Sequence, residues 1–271
     1  MKAAAFDYAR PASLPEALGL IAEREDAKVL AGGQSLGPLL NLRLAQPALL
    51  VDITRIAELA TVGEASDGLR LGALVTHAAI EDGRVRDPTG GFLARIAAGI
   101  GYRAVRTRGT IGGSLAHADP AADWLTALTA LGADLVLAGS GARRRAPLAG
   151  FVRGAMQTEL GAGELIVGVH IPKFSRQARF GYHKICRKAG EFADAIGAVV
   201  HDPERGVHRF VASTPAGAPL LLESSLARVE ETKMVAHLDQ CLREAGFVGD
   251  AYERRLRAVV LERALNSMSS A

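Results

Sequence analysis

The chain has 271 residues, of which 49% are hydrophobic and 23% charged, so it is long enough for one large or two modest globular domains and is too apolar for a disordered chain. Its 32 basic and 29 acidic residues give a formal net charge of +3 and are spread along the chain, which argues against a nucleic-acid-binding protein. The first residues lack the apolar core of a signal peptide, and no stretch approaches the roughly 18 apolar residues of a membrane helix, so the sequence predicts a cytoplasmic protein without membrane insertion.

The two cysteines, Cys186 and Cys241, stand far apart and outside any C-x-x-C pattern. Neither a disulfide framework nor a zinc or iron-sulfur site can be assembled from them, since a cluster needs about four thiolates. Any redox chemistry on this chain therefore requires an organic cofactor, and we expect no metal on it.

The opening fifth of the chain predicts a β-α-β-type unit that contains a glycine turn. Residues 13–22 predict a helix capped by Ser13, with Glu16 three residues further on as in a capping box. A short apolar strand, K-V-L-A, runs straight into the first glycine motif, A-G-G-Q-S at residues 31–35. A helix-like segment interrupted by Pro38 and a buried strand, A-L-L-V-D-I, follow it.

From about residue 57 the pattern changes to short strands, turns and helices. L-R-L-G-A-L-V alternates as a strand does, T-H-A-A-I-E-D begins a helix, and a second helix spans roughly residues 92–99. An apolar, strand-like run then leads into the second glycine motif, T-I-G-G-S at residues 110–114. After a helix and a strand, the basic run at residues 143–145 predicts a solvated turn, and E-L-I-V-G-V-H-I-P predicts a strand.

A polar segment, K-F-S-R-Q-A-R, follows Pro172 and predicts a linker, so we place a domain boundary near residue 175. Beyond it, three strand-like runs come first and two helices follow. Strands grouped before helices are typical of a small α+β domain.

The two glycine motifs are the most informative features of the sequence. Adjacent glycines let backbone amides point into one space and let a ligand approach where a Cβ would block it, which is how N–H groups hold a phosphate. Either motif alone is more often a plain turn, whereas the two together could embrace a pyrophosphate from opposite sides. Neither G-x-G-x-x-G nor G-x-x-x-x-G-K-[ST] occurs, which disfavours an ordinary Rossmann or P-loop site.

At these motifs the sequence resembles the FAD-binding medium subunits of molybdenum hydroxylases, the carbon monoxide dehydrogenase and xanthine dehydrogenase family. The resemblance runs through A-G-G-Q-S-L-G-P-L-L-N-L-R-L-A-Q-P, G-Y-R-A-V-R-T-R-G-T-I-G-G-S-L-A-H-A-D-P-A-A-D and E-L-I-V-G-V-H-I-P, and it covers most of residues 5–195 in order. The segment R-F-V-A-S-T-P-A-G-A-P-L-L-L-E-S, residues 209–224, departs from the Gly-Gly segment that the family often has there.

The resemblance implies an α+β fold in two parts. Residues 1–174 would form a two-lobed FAD-binding domain of the PCMH or vanillyl-alcohol-oxidase type, with the lobes divided near residues 53–57. Residues 175–271 would form a small α+β C-terminal domain of the carbon monoxide dehydrogenase flavoprotein type.

The resemblance also implies which residues hold the cofactor. Both glycine motifs match pyrophosphate-wrapping loops, Asp123 matches an acid that accepts hydrogen bonds from FAD hydroxyls, and Lys184 matches a lysine close to the flavin. Without the resemblance, Asp123 is explained as an acid favoured at a helix start. Lys184 is then explained equally well as an exposed lysine of a strand. The implied cofactor-binding residues are Ala31, Gly32, Gly33, Gln34, Ser35, Leu36, Ile100, Thr110, Ile111, Gly112, Gly113, Ser114, Asp123, Ile166 and Lys184, where periodicity alone places Ile100 and Ile166 in the core.

Three polar or aromatic residues near the motifs receive no function, and the serines of the motifs receive no catalytic one. His117 is at least as well explained as a turn histidine, His77 as a residue that caps or packs beside a helix start, and Trp124 as a core residue. Ser35 and Ser114 show no Ser-His-Asp arrangement in the sequence, so a hydrolase is not indicated.

The implied function is that of an electron-transfer subunit. One non-covalent FAD would take electrons from the iron-sulfur clusters of a small subunit and pass them to an acceptor such as NAD, oxygen or a quinone, while a large molybdenum-cofactor subunit hydroxylates the substrate. Two alternatives stay open. A self-sufficient flavoprotein oxidase or dehydrogenase would need a catalytic base that we cannot identify, and a scaffold that has lost FAD is disfavoured by the intact glycines.

Overall fold

The computed structural model describes residues 2–141, 143–222 and 233–270. Glu223 and Ser224, at the end of the divergent segment, lie outside the described residues. In chain order the strands and helices are β1 (Asp7–Ala9), α1 (Leu14–Glu23), β2 (Ala27–Leu30), α2 (Leu36–Asn41), β3 (Leu49–Asp52), β4 (Val62–Ala65), β5 (Gly68–Gly72), α3 (His77–Glu81), α4 (Phe92–Ala98), α5 (Arg103–Arg108), α6 (Ile111–His117), α7 (Asp123–Leu131), β6 (Asp134–Ala138), β7 (Arg144–Pro147), β8 (Val152–Gly154), β9 (Gln157–Thr158), β10 (Leu165–Pro172), β11 (Arg179–Ile185), β12 (Ala195–Asp202), β13 (Val207–Ala212), β14 (Leu220–Leu222), α8 (Met234–Glu244), α9 (Ala251–Asn266) and β15 (Ser269–Ser270).

The first lobe is a parallel sheet in the order β1-β3-β2, with α1 and α2 as crossover connections. Ser13 caps α1 by accepting a hydrogen bond from the Glu16 amide, and the Glu16 carboxylate accepts one from the Ala12 amide at 2.9 Å. The capping interaction is thus reciprocal but reaches one residue further back than a regular capping box. The predicted β-α-β unit and its capped helix are confirmed.

The second lobe is an antiparallel sheet in the order β4-β5-β10-β6-β7. Side chains on one face, such as Leu137 and Val169, join the main core with α4, α6 and α7, while Val136 and Val167 on the other face pack against α1 and β3 of the first lobe. Both faces of β10 are therefore covered, which explains why only Pro172 of this strand is not fully buried. This sheet is the layer that joins the two lobes.

The C-terminal part is an antiparallel sheet in the order β14-β13-β12-β11-β15. Helices α8 and α9 cover one face, and α7 of the preceding domain packs against β12 and β13 on the other. The contact with α9 is close because Gly197 of β12 has no side chain: a Cβ there would lie 2.7 Å from the Val260 carbonyl oxygen.

Two local predictions were wrong. The run before the second glycine motif is helix α5, not a strand, and Gly112 and Gly113 lie in the first turn of α6, where the Thr110 hydroxyl accepts a hydrogen bond from the Gly113 amide at 3.1 Å. An N-cap at Thr110, rather than the apolar periodicity before it, sets the local structure.

The basic run at residues 143–145 is also not a turn, because β7 begins at Arg144 and lies at an edge of the second-lobe sheet. Each of its arginines is paired with an acid: Arg143 with Glu58, Arg144 with Glu164, and Arg145 with Asp67 and Asp134. Charged side chains are a common feature of edge strands, where they oppose pairing with another chain. Within the described residues, no helix is long and apolar enough to cross a membrane.

We expect Gly197→Ala to lower the free energy of unfolding by about 1–3 kcal/mol, because the added methyl group forces α9 away from β12. Urea unfolding followed by circular dichroism measures the change. Gly63→Ala on β4 is the matched control, since a Cβ there meets nothing within 4 Å, and its effect should stay within about 0.5 kcal/mol. Equal effects of the two substitutions would contradict the close contact.

Candidate functional site

The two glycine motifs, separate in the sequence, lie against each other in the structure. A Cβ on Gly32 would lie 2.1 Å from the carbonyl oxygen of Arg108, two residues before the second motif. A Cβ on Gly113 would lie 3.8 Å from the Cβ of Ala31. Only a residue without a side chain can occupy position 32, so the first motif is held where a ligand could touch both.

The first motif presents backbone amides that have no protein acceptor. Among the described residues, none of the N–H groups of residues 31–36 donates a hydrogen bond to a protein atom, and the Ser35 side chain does not cap α2. Gly33 has a φ of +73°, a conformation that turns successive amides toward one side. Gln34 and Ser35 are exposed. This motif therefore has the free donors that an anion needs.

The second motif does not offer its amides in this way, which corrects the expectation that both motifs act as amide nests. The amides of Ile111, Gly112, Gly113 and Ser114 donate, in that order, to the Val75 carbonyl, the Ala73 carbonyl, the Thr110 hydroxyl and the Thr110 carbonyl at 3.0–3.1 Å. The side chains that remain available are the hydroxyls of Thr110 and Ser114.

Gly112 is required by packing. A Cβ there would lie 2.4 Å from the Cβ of Ala73, inside the core, so this glycine lets α6 sit directly on the end of β5. Gly109, just before the motif, has a similar role, because a Cβ there would lie 2.9 Å from the His77 ring. Neither glycine faces open space where a ligand could approach.

Asp123, at the start of α7, is buried and already paired. Its Oδ1 atom accepts hydrogen bonds from the Tyr182 hydroxyl at 2.6 Å and from the Lys184 ammonium at 2.8 Å. Lys184 also donates to the Gly99 carbonyl at 2.7 Å, and only 12% of its side chain is exposed. Lys184 is thus an inward-facing residue of β11, and two predicted cofactor residues form one ion pair.

Tyr182 was missed by the sequence reasoning. Burial, together with the adjacent Asp123 carboxylate, raises the pKa of Tyr182 well above its usual value, so the phenol stays protonated and donates to that carboxylate. A signal was available: Tyr182 and Lys184 are two residues apart on a strand, a spacing that places both side chains on one face.

The two predicted apolar flanking residues have different environments. Ile100 is half-buried, packs against the main core and directly follows Gly99, whose carbonyl oxygen accepts from Lys184. Ile166, on β10, is only 5% exposed and belongs to the main core. Ile100 is therefore the neighbour in sequence of a Lys184 acceptor and keeps some exposed surface, while Ile166 has little.

His77 fixes the second motif to α7. Its backbone amide donates to the Gly109 carbonyl at 3.0 Å, and its Nδ1 accepts a hydrogen bond from the indole of Trp124, the residue after Asp123, at 3.1 Å. Trp124 is fully buried in the main core, as predicted. Burial, with the Arg106 charge as a smaller cause, lowers the pKa of His77 from 6.5 to about 4. The ring is therefore neutral and structural at neutral pH.

The remaining polar candidates take no part in an arrangement for nucleophilic catalysis. Ser35 and Ser114 make no side-chain hydrogen bond to a histidine within the described residues, and His117 is a half-buried residue of the last turn of α6. Among the described residues, no group of three or more His, Cys, Asp and Glu side chains is placed to hold a metal ion.

Known proteins are similar to this chain in sequence. Residues 4–174 match the model of the family described as the FAD binding domain in molybdopterin dehydrogenase. The chain is 39% identical over 203 residues to the caffeine dehydrogenase subunit beta of Pseudomonas sp. (strain CBB1), which covers 74% of this chain and 68% of that protein. It is 38% identical over 196 residues to the carbon monoxide dehydrogenase medium chain of Hydrogenophaga pseudoflava, covering 72% and 68%.

Solved structures share the fold over nearly the whole chain. The carbon monoxide dehydrogenase from Hydrogenophaga pseudoflava that lacks the Mo-pyranopterin moiety of the molybdenum cofactor matches with a TM-score of 0.90 and 32% identity, covering 98% of both chains. Quinoline 2-oxidoreductase from Pseudomonas putida 86 matches with a TM-score of 0.86 and 30% identity, again covering 98% of both.

The family model and the relatives together place the chain in the class of oxidoreductases with an FAD-binding domain. More narrowly, the chain belongs to the family of FAD-binding domains of molybdopterin dehydrogenases. The α+β fold and the resemblance to the medium subunits of molybdenum hydroxylases are confirmed.

We expect the stability of the protein to fall as the pH is lowered from about 6.5 to about 4, in part because His77 takes up a proton in the unfolded chain while burial keeps it neutral in the folded one. The pKa of this group is lowered by folding, so its contribution is complete above 6.5 and is lost on acidification through the folded value of about 4. The shift corresponds to at most about 3 kcal/mol below that value.

Comparison with His77→Gln, which keeps an acceptor near Trp124, separates this effect from that of the carboxylates. The free energy of unfolding, measured by urea titration at a series of pH values, should depend less steeply on pH in the variant. Parallel curves would contradict the assignment.

Proposed function

We propose that this chain is the FAD-binding electron-transfer subunit of a multi-subunit molybdenum hydroxylase. The observation that carries the proposal is that six amides, at residues 31–36, have no acceptor in the part of the chain that the structure describes and lie beside the second glycine motif. A pyrophosphate is an acceptor without donors of its own at neutral pH, so oriented N–H groups suit it. No cation stands within either motif, which is consistent with recognition by dipoles.

The residues present fit FAD. The amides of residues 31–36 would hold the pyrophosphate, with the hydroxyls of Thr110 and Ser114 as further donors. Asp123 offers acceptors to sugar or ribityl hydroxyls, although its Oδ1 is already shared by Tyr182 and Lys184. FAD, when bound, supplies the capacity to hold one or two electrons.

Lys184 would act on the flavin as a fixed positive charge. Its ammonium is held at two points, by the Asp123 carboxylate and by the Gly99 carbonyl, so it cannot swing into solvent. A cation near the flavin ring favours a reduced ring that carries negative charge and so raises the reduction potential. The neighbouring Asp123 carboxylate offsets part of this charge, so loss of the Lys184 ammonium alone would leave that negative charge without its partner.

The names of the relatives support a partner-dependent role. They are medium chains and subunits of dehydrogenases, such as the nicotine 6-hydroxylase medium subunit of Paenarthrobacter nicotinovorans. By analogy this chain would receive electrons from a small iron-sulfur subunit, with the substrate oxidised at a molybdenum cofactor on a large subunit. NAD, oxygen or a quinone would be the final acceptor. The chain needs no metal of its own for this role.

We expect the purified chain to carry one FAD, released into the supernatant by acid or heat precipitation, and Gly33→Val to lose it. Valine is strained at a φ of +73°, and its Cβ would lie 3.3 Å from the Leu30 side chain, so the turn that orients these amides has to shift. FAD content is measured from the visible spectrum at equal protein concentration.

Gly83→Val is the control for backbone strain, because Gly83 has a φ of +66° and a Cβ there meets nothing within 4 Å. It should lose stability but keep FAD. Flavin that remains on the denatured chain, FMN in place of FAD, or equal FAD content in both variants would contradict the cofactor assignment.

We also expect the FAD-loaded chain alone to hydroxylate no substrate, and to carry electrons from substrate to acceptor only after reconstitution with small and large subunits. In the reconstituted complex, Lys184→Ala should slow reduction of the acceptor and lower the flavin potential, both measured at equal FAD content. Substrate turnover by the isolated chain at the rate of the complex would instead identify a self-sufficient oxidase.

A further inference from the structure

Arg106, in α5, holds a short backbone segment that reaches the proposed flavin environment. Its guanidinium donates to the Ile100 carbonyl at 3.2 Å and to the Gly101 carbonyl at 2.9 Å. The other edge of the same group forms a bidentate pair with Glu81, at 2.7 and 2.9 Å. Only 12% of the Arg106 side chain is exposed, so these bonds are largely protected from water.

The segment that Arg106 holds, residues 99–101, has no regular secondary structure of its own to fix it. It follows the end of α4, and Gly101 has a φ of +54°. Gly190 packs closely against the same segment, because a Cβ on Gly190 would lie 2.7 Å from the Gly101 carbonyl oxygen. The position of this segment therefore depends on contacts from α5 and from the chain after β11.

The same segment carries two groups of the proposed site. The Gly99 carbonyl is one of the two acceptors of the Lys184 ammonium, at 2.7 Å, and Ile100 is the half-buried apolar residue next to it. A shift of residues 99–101 would remove one of the two acceptors that orient Lys184. The Lys184 ammonium would then be held by Asp123 alone.

We infer that Arg106 is a positioning residue for the flavin environment, acting through residues 99–101 on Lys184 and Ile100. The inference rests on the proposed function, because it concerns a bound FAD. Arg106 acts by geometry, since its fork matches one carboxylate and two carbonyl oxygens at once, an arrangement that the single ammonium of lysine cannot reproduce.

Arg103 provides a matched comparison on the same helix. It also pairs with Glu81, at 2.7 Å, but its side chain is 52% exposed and its other partner is the Asp82 carboxylate. It donates to no backbone carbonyl of residues 99–101 within the described part of the chain. Arg103→Lys therefore changes the hydrogen bonds to Glu81 and Asp82 without releasing the segment.

The test compares Arg106→Lys and Arg103→Lys in the FAD-loaded chain. Arg106→Lys should weaken FAD binding about tenfold, measured by titration of the apoprotein with FAD, and should lower the flavin reduction potential and change the visible circular dichroism of the bound flavin. Arg103→Lys should change none of the three. Far-ultraviolet circular dichroism of each apoprotein verifies that the chain is folded.

Combination with Lys184→Ala shows whether Arg106 acts through Lys184. If it does, Arg106→Lys lowers the potential in the wild-type background and adds no further shift when Lys184 is already alanine. If Arg106→Lys fails to fold, Glu81→Gln takes its place, because it removes the carboxylate that orients Arg106 and should lower the potential in the same non-additive way.

The outcomes separate this inference from the proposed function. A wild-type chain that binds no FAD would overturn the proposed function. A wild-type chain that binds FAD, together with an Arg106→Lys variant of unchanged affinity and potential, would overturn the role of Arg106 alone. Strictly additive shifts in the double variant would show that Arg106 does not act through Lys184.

Discussion

The arrangement of the site depends on one close backbone contact, that of Gly32 with the Arg108 carbonyl. Because a Cβ at residue 32 would lie 2.1 Å from that oxygen, the two glycine motifs can meet only if the first lobe approaches the second at this point without a side chain between them. Strand β10 of the second lobe also connects the two lobes. One of its faces lies in the main core, and the other packs against α1 and β3 of the first lobe. The distance between the motifs is therefore set by packing before any ligand is present.

The two glycine motifs that meet at this contact have different structural roles. In the second motif the amides are used to fasten α6 to residues 73 and 75, so its glycines serve close packing. In the first motif the amides have no acceptor among the described residues, and those of the partly buried residues 31–33 carry a cost that a ligand can relieve. The second motif thus packs α6 in place, and the first motif supplies the hydrogen-bond donors of the proposed site. In the proposed site these amides would supply oriented dipoles to an anion.

The sequence was sufficient where the structure is decided by neighbours in the chain, and insufficient where distant segments meet. Local patterns located the capped helix at Ser13, both glycine motifs and the strand at β10. They could not show that Ala73 and Val75 supply the acceptors for the second motif, because those carbonyls come from a separate strand end. The contacts of the Arg106 guanidinium with residues 100 and 101 could not be predicted for the same reason. Its acceptors there are backbone oxygens, which no residue type identifies.

The pair formed by Asp123 and Lys184 joins the C-terminal part to the proposed site. Asp123 begins a helix of the FAD-binding domain, whereas Lys184 and Tyr182 lie on β11, after the predicted boundary near residue 175. A buried carboxylate without these two donors would be an unpaired charge, which is strongly unfavourable, and the same holds for the ammonium without its acceptors. Because α7 also packs between the main core and the sheet of β12 and β13, separating the two parts would expose apolar surface as well as split the ion pair. The residues of the proposed site therefore come from both sides of the predicted boundary. A flavin bound beside the Asp123–Lys184 pair would have its charge environment set by both parts of the chain.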